Sequence, residues 1–302
     1  MLNAIITTIL SIAILIGLGY FFKRINLLSE KDVTPFNTLV MNLLMPCMIF
    51  SALYTADLSL ISDLAIFPFI NILSSFGTGA IAFIIFKALK LDQKTMWSVI
   101  VVVMIANTGF MGYPVNLGIY GQAGFFRAIF FDLGTTALFL ILSFILIFKF
   151  GGSPKVAIKK ILTFPVLWAV ILGLIFNIYS IPIGPILDTT ITYLGNGAIP
   201  LIMISLGVSI HLEGIFKNIS MVGITSILKL IIFPLIALFV ISFTSLTGLS
   251  VDVPIVEAAM PSGMLSLVLA ITYKLDYRLT SNCILANTIF SLISLPIIIF
   301  LL

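Results

Sequence analysis

The chain has 302 residues, of which 61% are hydrophobic and only 9% charged, and its mean hydropathy is +1.29. Soluble domains carry about a quarter charged residues, so this composition excludes an ordinary water-soluble domain and fits a chain solvated by lipid. The formal charge of +4 is informative through its distribution, and neither nucleic acid nor a cofactor is expected as a partner.

Apolar runs fall at about residues 3–22, 36–56, 64–86, 96–120, 125–148, 162–181, 190–210, 219–246, 254–273 and 279–302. Each is near the ~20 residues that a helix needs to span the hydrocarbon core, and twice the ~10 of a membrane strand. The expected fold is therefore an all-α polytopic membrane protein of ten transmembrane helices. Basic residues cluster after the odd-numbered runs: Lys23, Arg24 and Lys31; Lys87, Lys90 and Lys94; Lys149, Lys155, Lys159 and Lys160; Lys217; Lys274 and Arg278. The even-numbered gaps carry Asp57, Asp63, Asp188 and Asp252 instead. By the positive-inside bias, the basic loops lie in the cytoplasm and both termini outside a cell membrane. The first run lacks a preceding basic segment, so it is kept as a span rather than a cleaved leader. The stretch 149–160, with Gly151, Gly152 and Pro154, is expected to be a hinge between halves. Cys47 and Cys283 lie in apolar runs and read as small packing residues. The single histidine, His211, reads as a solvated residue at the cytoplasmic edge, and no metal site is expected.

Offsetting the chain by 154 residues lays Gly19 on Gly173, Asn42 on Asn196, Pro46 on Pro200 and Gly109 on Gly263. Internal similarity of this kind is the mark of a repeat. Each half holds five runs, an odd number, so the halves (1–150 and 155–302) enter the membrane in opposite senses. That arrangement is common in secondary transporters, whose substrate site lies where the repeats meet.

Two runs are interrupted. Run four reads Asn107-Thr-Gly-Phe-Met-Gly-Tyr-Pro114, and run nine reads Glu257-Ala-Ala-Met-Pro-Ser-Gly263. Broken backbone is tolerated within a bilayer only where it is buried in protein or lines a wet cavity, and interrupted spans at matched positions of two halves point to a binding site. The half-helix after each break opens with unpaired N–H groups and partial positive charge, suited to a carboxylate. Asn107, Thr108 and Ser262 offer side-chain hydrogen bonds beside Gly109, Pro114, Pro261 and Gly263, with Asn42 as a further candidate. The competing reading, proline kinks that only shape packing, does not account for the Asn, Thr and Ser at the breaks.

The Asn107–Pro114 segment with Tyr120-Gly121, the Ala258-Ala-Met-Pro-Ser-Gly263 segment with Ala270 and Tyr273, and Asn42-Leu-Leu-Met-Pro46 together resemble the auxin efflux carrier family nearly end to end. The resemblance implies two inverted five-helix repeats with crossing broken helices four and nine, as in sodium/bile-acid-symporter-like architectures. It also implies a scaffold domain and a transport domain, each built from spans of both repeats. It further implies transport of a small carboxylate, with Asn107, Pro114 and Pro261 at the crossing. Glu257 stands where plant carriers more often have glutamine, and their long cytoplasmic loop is missing. The chain is thus similar to the compact bacterial type, the malate and malonate permeases.

Charges within the runs are Asp132 and Lys229, with Arg127 and Glu257 near run ends. Charged residues in a span usually face a cavity or a partner. Asp132 or Glu257 is a candidate for coupling to H+ or Na+, with a structural pair to Arg127 or Lys229 as the alternative. Lys229 reads as a side chain snorkelling to the cytoplasm or held in an ion pair, or, like Arg127, as an attractor of the anion. No HExxH, GxSxG or P-loop motif is present, so an enzyme is not expected. A passive uniporter, a channel, a non-transporting sensor and a homodimeric state remain open readings.

Overall fold

The structure, a computed structural model, describes residues 2–210 and 219–302; His211 and Lys217 lie outside the described residues. The described residues are helical, with no strand and one isolated antiparallel bridge between Ala106 and Ser262.

The first half contains α1 (Leu2–Arg24), α2 (Glu30–Leu39), α3 (Met45–Tyr54), α4 (Phe67–Ala88), α5 (Gln93–Met104) and α6 (Tyr113–Phe150). A π-helical turn, Val40–Leu44, joins α2 to α3, and another, Thr108–Gly112, leads into α6. A short basic helix, α7 (Pro154–Leu162), follows. The second half contains α8 (Pro165–Ile178), α9 (Gly184–Asn196), α10 (Ala198–Val208), α11 (Ile219–Ile227), α12 (Phe233–Ile241), α13 (Leu249–Ala258), α14 (Met264–Thr272) and α15 (Tyr277–Leu301). A third π-helical turn, Leu228–Ile232, joins α11 to α12.

Among the described residues, seven continuous helical stretches are long and apolar enough to cross a membrane, and two shorter apolar helices, α5 and α8, accompany them. The stretch Thr108–Phe150, at 43 residues, would extend about 65 Å if straight, twice the ~30 Å hydrocarbon core. It is not straight: Gly121 takes φ 64° and ψ −157° and turns the chain inside it. The positive φ needs a glycine there.

Local chemistry sets the ends. The Asp32 carboxylate accepts hydrogen bonds from the Ser29 N–H (2.7 Å) and hydroxyl (2.8 Å), which starts α2 six residues before the expected apolar run. Asp92 caps α5 by accepting from the Lys94 and Thr95 N–H groups at 3.0 and 3.1 Å. Within the expected hinge stretch 149–160, Gly151 and Gly152 take positive φ after α6 ends at Phe150. From Pro154 it is the helix α7, whose leading proline needs no intrahelical N–H partner and whose Lys155 and Lys159 are exposed.

Contacts recur at positions 154 residues apart. α1 closes with the Asn26 N–H on the Lys23 carbonyl (3.2 Å) and the Leu27 N–H on the Phe22 carbonyl (2.9 Å). α8 closes with the Ser180 N–H on the Asn177 carbonyl (3.0 Å) and the Ile181 N–H on the Phe176 carbonyl (2.8 Å). Asn26 and Ser180 both take positive φ, the geometry of a Schellman cap. Gly19 in α1 lies against Ile204 and Gly207 of α10, while Gly173 in α8 lies against Phe50 and Leu53 of α3. Both are close helix contacts that a Cβ would obstruct, the use that membrane interfaces make of small residues. Helices α1, α2, α3, α8, α9 and α10 pack mostly on one another, as do α4, α5, α6, α11, α12, α13, α14 and α15, while α1 also packs on α6 and α15 and α3 on α6.

Candidate functional site

The two interruptions meet. The Asn107 N–H donates to the Pro261 carbonyl at 2.8 Å, and the Gly263 N–H donates to the Ile105 carbonyl at 2.9 Å. Backbone groups freed by one break thus satisfy those freed by the other, which meets the demand of an apolar interior without water. Only glycine fits at position 263, since a Cβ would stand 2.6 Å from the Ala106 carbonyl oxygen.

Side chains brace each break from neighbouring helices. At the first, Thr108 donates to Asp132, Tyr113 donates to the other Asp132 oxygen at 2.8 Å, and the Thr108 and Thr135 hydroxyls lie 3.0 Å apart. Asn71 of α4 joins them, donating to Thr135 at 2.8 Å and to the Phe131 carbonyl at 3.0 Å. At the second break, Asn287 of α15 donates to the Ser262 hydroxyl at 2.7 Å and accepts from Ser226 of α11 at 2.6 Å. Thr108 and Ser262 are themselves 154 residues apart.

A cavity of about 250 Å3 opens at the crossing, lined by Asn107, Thr108, Gly109, Asp132 and Gly263 at one end and by side chains such as Met41 and Phe164 elsewhere. The Met111 and Gly112 N–H groups bond the Asn107 carbonyl, so the opening N–H groups of this half-helix belong to Thr108, Gly109 and Phe110. Those three residues line the cavity, together with Met264 and Leu265 from the first turn of α14. Two half-helix N-termini therefore share one apolar chamber. The Asn107 side chain forms no hydrogen bond with the described residues and stands at the chamber wall.

A family profile described as membrane transport protein matches residues 4–299. Over 290 residues, 96% of each chain, the sequence is 41% identical to an uncharacterized transporter of Methanothermobacter thermautotrophicus. Over 291 residues, 94% of each chain, it is 33% identical to one of Methanocaldococcus jannaschii. It is 24% identical to the uncharacterized transporter YfdV of Escherichia coli over 304 residues, 96% of this chain and 94% of that one. The chain belongs to the membrane transport protein family. The likeness to auxin efflux carriers holds at this level, and the chain is a multi-pass membrane transporter, which points to transport rather than catalysis.

The transporter gathers some of the expected residues at its crossing and leaves others elsewhere. Asn107, Thr108, Gly109 and Gly263 line the cavity. Pro261 and Ser262 serve the crossing through the Pro261 carbonyl and the Ser262 hydroxyl, and Pro114 opens α6 behind it. Asn42 is not among the cavity-lining residues: its amide donates to the Thr38 carbonyl at 2.8 Å beside the π-turn, on an exposed face.

The charged residues depart further from expectation. Asp132 pairs with neither Arg127 nor Lys229, because both its oxygens are taken by hydroxyls. Arg127 donates instead to the Ser250 hydroxyl (3.3 Å) and the Ala123 carbonyl (3.0 Å), away from the cavity. Lys229 does not snorkel. It is 0% exposed, its Nζ lies 3.5 Å from the centre of the Phe233 ring, and it has no hydrogen-bond partner among the described residues. Glu257 lies in the last turn of α13 (Leu249–Ala258), beside the crossing. There Asn116 donates to one Glu257 oxygen at 2.7 Å, while the other oxygen and the Asn116 side-chain oxygen have no partner among the described residues. Sequence reasoning missed Asn71, Asn116, Tyr113, Thr135 and Asn287. The available signal was an amide inside an apolar run, a group that seeks a partner across helices.

Proposed function

We propose that this transporter carries a small organic anion, a carboxylate, across the cytoplasmic membrane by alternating access. Ten spans form two inverted five-helix repeats, 1–150 and 155–302, with the basic loops in the cytoplasm and the termini outside. The paired Schellman caps of α1 and α8 support the repeat, as do the exchanged contacts of Gly19 and Gly173. The Gly121 turn supports counting Thr108–Phe150 as the end of one span and the whole of the next.

The observation that carries the reading is the pair of half-helix N-termini on one cavity, with the Asn107 amide unpaired beside them. Two such ends supply positive potential without a full cation, and N–H groups already aimed at an oxyanion. The carboxylate docks at Thr108–Phe110 and Met264–Leu265, its body lies among the apolar walls, and Asn107 orients it. Asp132, held by two hydroxyls, shapes the first break. Glu257 keeps an unpaired oxygen and is the better candidate of the two for coupling to H+ or Na+.

Asn107→Ala is expected to weaken binding of the preferred carboxylate about tenfold, the loss of one hydrogen bond to a charged group. A thermal-shift titration of purified protein with malonate, malate and indole-3-acetate, with and without Na+ and across pH, reads this out. Unchanged affinity in the folded variant sinks the site. Accumulation in proteoliposomes driven by an imposed H+ or Na+ gradient distinguishes a coupled carrier from a uniporter.

A further inference from the structure

The segment between α6 and α8 carries positive charge that its own sequence does not neutralise. It holds Lys149, Lys155, Lys159 and Lys160, while no acidic residue lies between Asp132 and Asp188. The turn at Gly151 and Gly152, both with positive φ, leads into α7, which packs back on α6. Lys155 and Lys159 are exposed, and neither has an acidic partner among the described residues.

One face of α7 is open along its length. Positions 155, 158, 159 and 162 follow the i, i+3, i+4, i+7 spacing that gathers residues on one side of a helix. That face is mixed: Ile158 is 44% and Leu162 57% exposed, beside the two lysines. Water is a poor neighbour for the aliphatic pair, and hydrocarbon for the ammonium pair. The layer that suits both is the headgroup boundary of a bilayer, where a lysine stem lies along acyl chains and its ammonium reaches outward.

The tryptophans place the segment at that depth. The chain has only two, and one stands at each end of it. The Trp168 Nε1–H donates to the Leu162 carbonyl at 2.7 Å, and its half-exposed ring closes α7 against the start of α8. At the other end, the Lys149 ammonium lies 5.5 Å from the centre of the Trp97 ring and donates to Gln93 Oε1 at 3.2 Å. Tryptophan collects at the membrane–water boundary, so both ends of the segment stand at the level of the lipid headgroups.

We propose that α7 is a binding site for anionic lipid. Lys155 and Lys159 hold phosphodiester headgroups of one leaflet, and Ile158 and Leu162 enter the acyl boundary beside them. A cluster of basic residues next to a span, on an amphipathic helix, is suited to such headgroups. The aliphatic pair on the same face selects a lipid over a free phosphate. Because α7 is the link from α6, which follows the first break, to α8, a leaflet that holds α7 steadies that link without touching the crossing. The site is independent of which solute the crossing binds.

The test titrates the full-length protein, purified in a neutral detergent, with dioleoyl phosphatidylglycerol or dioleoyl phosphatidylcholine and follows Tm. Phosphatidylglycerol is expected to raise Tm more than phosphatidylcholine at equal concentration. Lys155→Gln with Lys159→Gln should raise the half-saturating phosphatidylglycerol concentration at least about tenfold. Lys155→Arg with Lys159→Arg keeps both charges and should respond as wild type. Lys31→Gln with Lys94→Gln removes the same charge from other basic loops and should shift the midpoint less than about threefold. Ile158→Ser with Leu162→Ser should weaken the response about tenfold, by loss of apolar burial. Equal responses to the two lipids overturn the proposal, as do equal shifts in the two glutamine pairs, since charge would then act without a site. A lysine-dependent rise in Tm with inorganic phosphate overturns it too, by marking a free-anion site. A phosphatidylglycerol response untouched by the serine pair does the same.

Discussion

The acids at the two helix breaks live under opposite conditions. Asp132 stands behind the first break with both oxygens engaged by the Thr108 and Tyr113 hydroxyls, and a network through Thr135 and Asn71 ties it to α4. Glu257 stands just before the second break with one oxygen on Asn116 and the other unpaired, while Lys229 Nζ is orphaned above Phe233. Buried polar groups are normally satisfied, and each exception asks for an explanation. Asp132 is therefore spent on holding its break, whereas Glu257 retains polar capacity that an ion, a proton or a second conformation can use.

The largest effect should come from the backbone of the second break. Gly263→Ala places a Cβ against the Ala106 carbonyl, which the crossing fixes in place. A loss of about 3 kcal/mol, the upper end of overpacking costs, should show as a sharply lower Tm. Gly112→Ala first meets the Glu257 carboxylate, the end of a flexible side chain rather than backbone, and should cost about 1 kcal/mol. Equal losses at the two glycines would mean that Glu257 is held as firmly as the crossing backbone.

Substituting the acids sharpens the contrast. Asp132→Ala strands two buried hydroxyls and should cost about 2–3 kcal/mol in stability. Glu257→Gln keeps the acceptor for Asn116 while removing the ionisable carboxyl, and should leave Tm within the equivalent of about 1 kcal/mol of wild type. Its effect should fall on the pH or Na+ dependence of transport instead. Lys229→Met, similar in length and free of the unpaired Nζ, should gain about 1 kcal/mol. A destabilised Lys229→Met protein would indicate a partner that forms in another conformation.

Much of the scaffold was legible because lipid imposes it. The apolar runs, the Gly121 turn and both breaks fall where hydropathy, glycine and proline place them, since every span must hide its backbone. The meeting of the two breaks was legible in the backbone, and Asn107, Thr108, Gly109 and Gly263 line one cavity there. The partners of the charges were not. Asn116 and Glu257 are 141 positions apart, and Asn71 reaches Thr135 across 64; such pairings depend on how helices are rotated against one another, which a single sequence does not state. Lys229 misled for the same reason. Its place in a long apolar run gave no sign that a π-turn would aim it inward onto Phe233.

The smallest expected effect lies outside the membrane and separates loop energetics from the crossing. Asp92 caps α5, the half-helix that ends at the first break. The Thr95 hydroxyl and N–H hold its carboxyl below the usual carboxylate range, so the charged form is favoured in the folded protein. Its contribution is complete at neutral pH and fades as the solution is acidified below about pH 4, where the unfolded chain begins to take up the proton. Asp92→Ala should therefore cost about 1 kcal/mol at pH 7, with the Tm gap to wild type narrowing below that range. Because α5 runs from this cap to the Ile105 carbonyl that receives Gly263, fraying it should loosen the crossing slightly without changing which carboxylate binds. A changed carboxylate preference in Asp92→Ala would instead show that the breaks are set from the loops rather than by their own hydrogen bonds.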